Sequence, residues 1–124
     1  MSLNFNSAVD VNYPNQPSPG ADYTAAADSA PTIHRKGNTT LLQLTGNLTA
    51  SRVAQFGTIA NEGWLNGDVV FVSIPTHTGG GFTMSVHSIA GTVLTTWAAL
   101  LAAGGMFVFD GTDFVAALPG ASTT

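Results

Sequence analysis

From Val69 to Phe109 this chain carries no Asp, Glu, Lys or Arg. The same stretch is cut by Gly, Pro and Thr into short apolar runs, so it reads as β-structure whose surfaces are covered. A soluble domain of ordinary composition holds about a quarter charged residues, whereas Asp, Glu, Lys and Arg make up 8% of these 124 residues. Too few ionic groups remain to coat the molecule, and much of its surface is expected to meet protein.

The length allows one domain with a modest core. Only Arg35, Lys36 and Arg52 are permanent cations, and the formal net charge is -4. No basic footprint exists for neutralising phosphates, which argues against a nucleic-acid partner. Without cysteine there is no disulfide, thiolate nucleophile or Cys-based zinc site. The N-terminus lacks the basic flank and apolar stretch of a secretory signal. Ser88 to Phe109 is long enough to cross a bilayer, but Gly91, Thr92, Thr95, Thr96 and Gly104-Gly105 break its apolar continuity, so no membrane span is expected.

Residues 1–31 differ in kind from the rest. Asn, Ser, Ala and Pro dominate, and Pro14, Pro17, Pro19 and Pro31 favour extended backbone. The apolar residues Leu3, Phe5, Val9, Val11, Tyr13 and Tyr23 separate this segment from an ordinary solvated linker. It reads as an extended N-terminal arm that docks on a neighbour. Residues 32–118 form the expected β domain, and residues 119–124 a small polar tail.

Seven strand-like runs follow the arm: Thr39–Thr45, Val53–Ala60, Asp68–Ile74, Gly81–His87, Thr92–Trp97, Met106–Asp110 and Phe114–Leu118. They predict an all-β fold, a single small sandwich or barrel-like domain of six or seven strands. Phe82, Met84 and Val86 alternate with Thr83, Ser85 and His87, the pattern of a half-buried strand. Val69 to Val72 is continuously apolar and predicts a strand covered on both faces. Asp110-Gly111-Thr112-Asp113 between two apolar runs predicts a hairpin. Thr96 to Ala103, TWAALLAA, suits either a short helix or the end of a strand.

Candidate chemistry is sparse. His77 precedes three glycines, but a phosphate loop needs a following helix and usually a Lys, and here a period-2 strand follows. His77 and His87 lack nearby carboxylates, and His34 sits beside two cations, so no metal site is assigned. Asp110 and Asp113 supply too few oxygens for calcium and are explained by the turn. No paired carboxylates and no nucleophile elbow are visible, so no catalytic residue and no cofactor is assigned. A hydrolase with a site assembled from distant residues ranks last. Two Asn-x-Thr sites, at Asn38 and Asn47, read as accidents of an Asn- and Thr-rich chain. Arg35-Lys36 reads as a solvated loop, with pairing to acids on a partner as the alternative. Trp64 is either a core aromatic or an exposed one of the kind that stacks on sugars.

Gly80-Gly81-Phe82-Thr83-Met84-Ser85-Val86, then Gly91-Thr92-Val93-Leu94, then Gly104-Gly105-Met106-Phe107-Val108-Phe109-Asp110-Gly111-Thr112-Asp113-Phe114-Val115 resembles the β-module of tailed-bacteriophage head-decoration and fibre proteins. The resemblance covers about residues 40–118 and rests on turns and strands, with Phe114 where that group often has Trp. It implies a cement protein on the capsid surface of a virion: a homotrimer, not an enzyme, with itself and the major capsid protein as partners. On that reading Phe5, Val9, Val11, Tyr13 and Tyr23 of the arm contact the capsid or an adjacent subunit. Val70, Val72, Phe82, Met84, Trp97, Phe107 and Phe109 form the oligomer interface. Removal of residues 1–30 is expected to leave a folded oligomer that no longer binds heads. The alternative is a tail-fibre or receptor-binding module that holds host carbohydrate through Trp64 or Trp97.

Overall fold

The computed structural model describes residues 22–74, 81–98 and 102–118. Among these residues the elements are β1 (Tyr23–Ala26), β2 (Thr32–Ile33), β3 (Thr39–Thr45), β4 (Arg52–Phe56), α1 (Ile59–Glu62), β5 (Val69–Ile74), β6 (Met84–His87), β7 (Val93–Trp97), β8 (Ala103–Phe109) and β9 (Phe114–Leu118), with a 3-10 turn at Ala27–Ser29. The fold is all-β, with nine strands in the described residues where six or seven were expected.

From β1 to β6 successive strands alternate between two sheets, a five-stranded one in the order β1-β3-β5-β8-β9 and a four-stranded one in the order β2-β4-β6-β7. The pairs β1/β3, β3/β5, β2/β4 and β4/β6 are all parallel. Parallel neighbours need a crossover, and here each crossover carries a strand of the opposite sheet. The chain therefore winds as a flattened coil through β6, then doubles back with the antiparallel pairs β6/β7, β5/β8 and β8/β9.

One core lies between the sheets. Leu42, Leu44, Val70, Val72, Ile74, Phe107, Phe109 and Phe114 enter it from the five-stranded sheet, and Ile33, Ala54, Phe56, Met84, Val86 and Trp97 from the other. An aromatic cluster ties the two together. Phe56 of β4 stacks on Phe114 of β9 at 3.8 Å between ring centroids, and Trp64 meets the same Phe114 edge-on at 4.7 Å. The edge-on contact suits the ring quadrupoles and adds to the area these rings bury.

Two expected boundaries change, and one open segment is settled in part. The boundary at residue 31 falls inside the domain, because β1 is the edge strand of the five-stranded sheet and Ala27 is fully buried. Asp22 secures that start: its N–H donates to the Leu41 carbonyl at 2.7 Å, and its carboxylate accepts from the Leu41 N–H at 2.8 Å. The run expected over Val53–Ala60 ends at Phe56 and continues as α1, capped by Thr58 Oγ1 accepting from the Asn61 N–H and closed by Gly63 at φ +73°. A residue with a Cβ adopts that φ reluctantly, so glycine there ends the helix. Of the ambiguous TWAALLAA, Thr96 and Trp97 belong to β7 and Ala103 opens β8, while residues 99–101 lie outside the described residues. No helix among the described residues is long and apolar enough to cross a membrane, and Ser88 to Phe109 contributes β7 and β8.

Candidate interaction face

None of the five strands β1, β3, β5, β8 and β9 contains a charged residue. Alternation sends every second side chain of these strands into the core and the rest to the outer face. Register then sets the outer residues in rows across the sheet. One row is Thr39, Val69, Val108 and Val115, and the next is Leu41, Phe71 and Met106. A third runs Thr24, Gln43, Ser73 and Gly104. In the single chain Leu41 is 37%, Phe71 38% and Val115 46% exposed. Scattered surface apolar residues are normal; here Leu41, Phe71 and Val115 are large exposed side chains gathered on one uncharged face.

Gly104 leaves a dip in this face. A Cβ placed on it would come no closer than 3.4 Å to any heavy atom, so internal packing has room for a side chain there. Its neighbour Gly105 points inward, where a Cβ would stand 3.1 Å from the Phe107 ring and 3.5 Å from that of Trp97. The core requires the second glycine and not the first.

The expected oligomer interface does not lie on this face. Val70, Val72, Met84, Trp97, Phe107 and Phe109 are at most 2% exposed in the chain's own core, where no partner reaches them, and Phe82 is half-buried against that core. The run Val69 to Val72 is covered on one side only: Val70 and Val72 point inward and Phe71 outward. Trp64 is 4% exposed and its Nε1 donates to the Gly57 carbonyl at 2.8 Å, so neither it nor Trp97 can stack on a sugar. Of the arm residues, Tyr23 is half-buried in β1 with its hydroxyl accepting from the His34 N–H at 2.8 Å, and Phe5, Val9, Val11 and Tyr13 lie outside the described residues.

A cleft of about 370 Å³ opens elsewhere, lined by Thr32, His34, Gln55, Phe56, Glu62 and Ile89 among others. His34 Nδ1 lies 2.7 Å from Glu62 Oε2, and the other Glu62 oxygen accepts from the Arg35 N–H at 3.0 Å. Both oxygens thus fasten the segment after β2 to α1. These residues stand far apart in the chain, and no linear spacing marks them; the Thr58 cap and Gly63 stop are the signals that could have placed α1.

The other titratable groups serve the scaffold. Arg35 Nε donates to Asp68 at 2.6 Å, so this cation is engaged within the chain, while Lys36 Nζ sits 5.0 Å over the Tyr23 ring. Asp110 Oδ1 accepts from the Thr112 and Asp113 N–H groups and closes the β8–β9 turn, with Gly111 at φ +103°. Asp113 accepts from Ile89, Ala90 and Phe114 and binds the β6–β7 turn to that hairpin. His87 is half-buried in β6, and His77 lies outside the described residues. Among the described residues no group of three or more His, Asp or Glu could hold a metal ion. No protein family, no curated protein and no solved structure matches the chain.

Proposed function

We propose that this chain is a virion structural protein of a tailed bacteriophage, a capsid decoration protein that assembles as a homotrimer and binds the head surface. The observation that carries the assembly half of this reading is the uncharged outer face of the five-stranded sheet, with Leu41, Phe71 and Val115 left open in one copy. Covering a large apolar side chain contributes up to about 1.5–3 kcal/mol, and many small contacts repeated around a symmetric assembly sum to a stable shell. The phage and capsid half rests on the resemblance of Gly80–Val115 to head-decoration modules. The sister copies and the major capsid protein are the partners, and the arm residues Phe5, Val9, Val11 and Tyr13 reach them.

Solution mass at micromolar concentration tests the assembly, and co-sedimentation with purified phage heads tests the shell. The wild type is expected as a trimer that pellets with heads. Phe71→Glu places a charge on the outer face without touching the core and is expected to give a folded monomer that stays in the supernatant. A wild-type chain that is monomeric and stays off heads would sink the reading.

A further inference from the structure

We infer that the outer face of the five-stranded sheet is covered by residues 9–13 of a neighbouring copy, with Tyr13 seated over Gly104. The inference rests on the assembly reading above and names the occupant of the same face. Val9-Asp10-Val11-Asn12-Tyr13 is apolar at every second residue, the pattern of a strand with one dry side and one wet side. Successive same-side residues of a strand stand about 6.6 Å apart, which is also the spacing of the rows on the face, since those rows are two residues apart along each strand. Laid along β8, the dry side meets Val108, Met106 and Gly104 in turn. The largest of the three side chains then falls on the dip, where packing among the described residues leaves room for a side chain.

The place where the described chain begins supports this. Residue 22 lies opposite Leu41 at the edge of that very sheet, so the preceding residues leave from the rim of the apolar face. Between Tyr13 and Asp22 lie Pro14, Pro17 and Pro19. A Pro-rich spacer of that length spans about 28 Å, against about 19 Å across five strands. Its stiffness disfavours the reversal that docking on the chain's own sheet would need and favours a neighbour. Passing each arm to the next copy is a head-to-tail contact, and a head-to-tail contact whose rotation closes at three copies makes a trimer.

The chain has no cysteine, so disulfide trapping reads the contact directly. Full-length Val11→Cys chains are mixed with full-length Met106→Cys chains, refolded together and oxidised. The expected product is a disulfide between the two kinds of chain, with far less linkage in either variant alone. Gly104→Leu is expected to keep the wild-type circular dichroism spectrum and to lose at least tenfold in trimer affinity. Deletion of residues 1–21, which spares β1, is expected to yield folded monomers, in place of the oligomer expected from the sequence to survive loss of the arm. A Val11→Cys, Met106→Cys double variant that closes only within single chains would overturn docking on a neighbour. A deletion that stays trimeric while Phe71→Glu is monomeric would overturn the arm as occupant and leave the assembly reading standing. A wild-type monomer would remove both.

Discussion

Gly57 and Glu62 exclude a side chain between them: a Cβ on Gly57 would stand 2.6 Å from Glu62 Oε2 and 2.7 Å from its Cγ. The glutamate lies over this bare backbone because His34 and the Arg35 N–H hold both of its oxygens. Gly57→Ala therefore displaces the carboxylate from its partners. The expected cost is about 1–3 kcal/mol, read as a fall of about 4 °C in Tm per kcal/mol. Glu62→Ala removes the obstruction as well as the contact, so adding Gly57→Ala to it is expected to cost much less than Gly57→Ala alone. Additive losses in that double-mutant cycle would refute the latch.

The same substitution is expected to act with opposite sign at two buried threonines. Thr95 is 7% exposed and its Oγ1 finds no hydrogen-bond partner among the described residues. Thr40 is fully buried and its Oγ1 accepts from the Lys36 N–H at 2.9 Å. Valine has the shape of threonine without the hydroxyl. Thr95→Val removes an unsatisfied polar group and is expected to stabilise the fold by about 1 kcal/mol. Thr40→Val leaves the Lys36 N–H without its acceptor and is expected to destabilise by about 1–3 kcal/mol. Urea midpoints that move together would contradict this account.

Acid is expected to unfold the protein over a defined window. The Thr49 N–H, the Arg52 guanidinium and the Thr49 hydroxyl hold the Asp28 carboxyl down at about 2. Hydrogen bonds from the Asp113 and Thr112 N–H groups lower Asp110. Burial works against ionisation of Asp68 and Asp113, yet Arg35 and Leu65 lower the first, and the Phe114, Ile89 and Ala90 N–H groups lower the second. A folded value below the unfolded one means the folded state binds fewer protons, so these carboxylates stabilise above the unfolded value of about 3.9. That contribution drains as pH falls from about 4 toward about 2. Urea midpoints are expected to be flat near pH 6 and to fall steeply below about pH 4. Asp28→Asn should make the lower part of that slope shallower; an unchanged slope would remove Asp28 from the account.

How much of this was legible turns on parity. The sequence showed that Val70 and Val72 share a face, as do Phe107 and Phe109, because period two relates residues within a strand. It did not show which face is inside, since Phe71, Met106 and Val108 are apolar too and no charge marks the wet side. The expected interface therefore fell on the inward set, one residue out of step with the exposed one. Tight turns were legible where backbone geometry dictates the residue, as at Asp110-Gly111. β1 was not, because Tyr-Thr-Ala-Ala carries little strand signal and its place is fixed by parallel pairing with β3, a contact no local pattern encodes. The His34–Glu62 contact was hidden for the same reason: it joins segments brought together by winding.

Phe71 and Val72 are chain neighbours on opposite faces of β5, and that opposition separates assembly from folding in one measurement. Val72 is 1% exposed, and Val72→Ala deletes buried methyl groups from the core. The expected loss is about 1–3 kcal/mol at every protein concentration, because the site is internal to each copy. Phe71 is 38% exposed in the single chain and lies outside the core, so Phe71→Thr lowers the stability of one copy by some lost surface packing but leaves the core intact, and threonine suits the outer side of a strand. Its effect is expected in the assembly. Binding between copies makes Tm rise with concentration, since the folded state is drawn off by association. The wild type and Val72→Ala should both show that rise, the second offset downward, whereas Phe71→Thr should give a Tm independent of concentration. A Phe71→Thr protein whose Tm climbs with concentration as steeply as the wild type would show that the outer face does not join the copies.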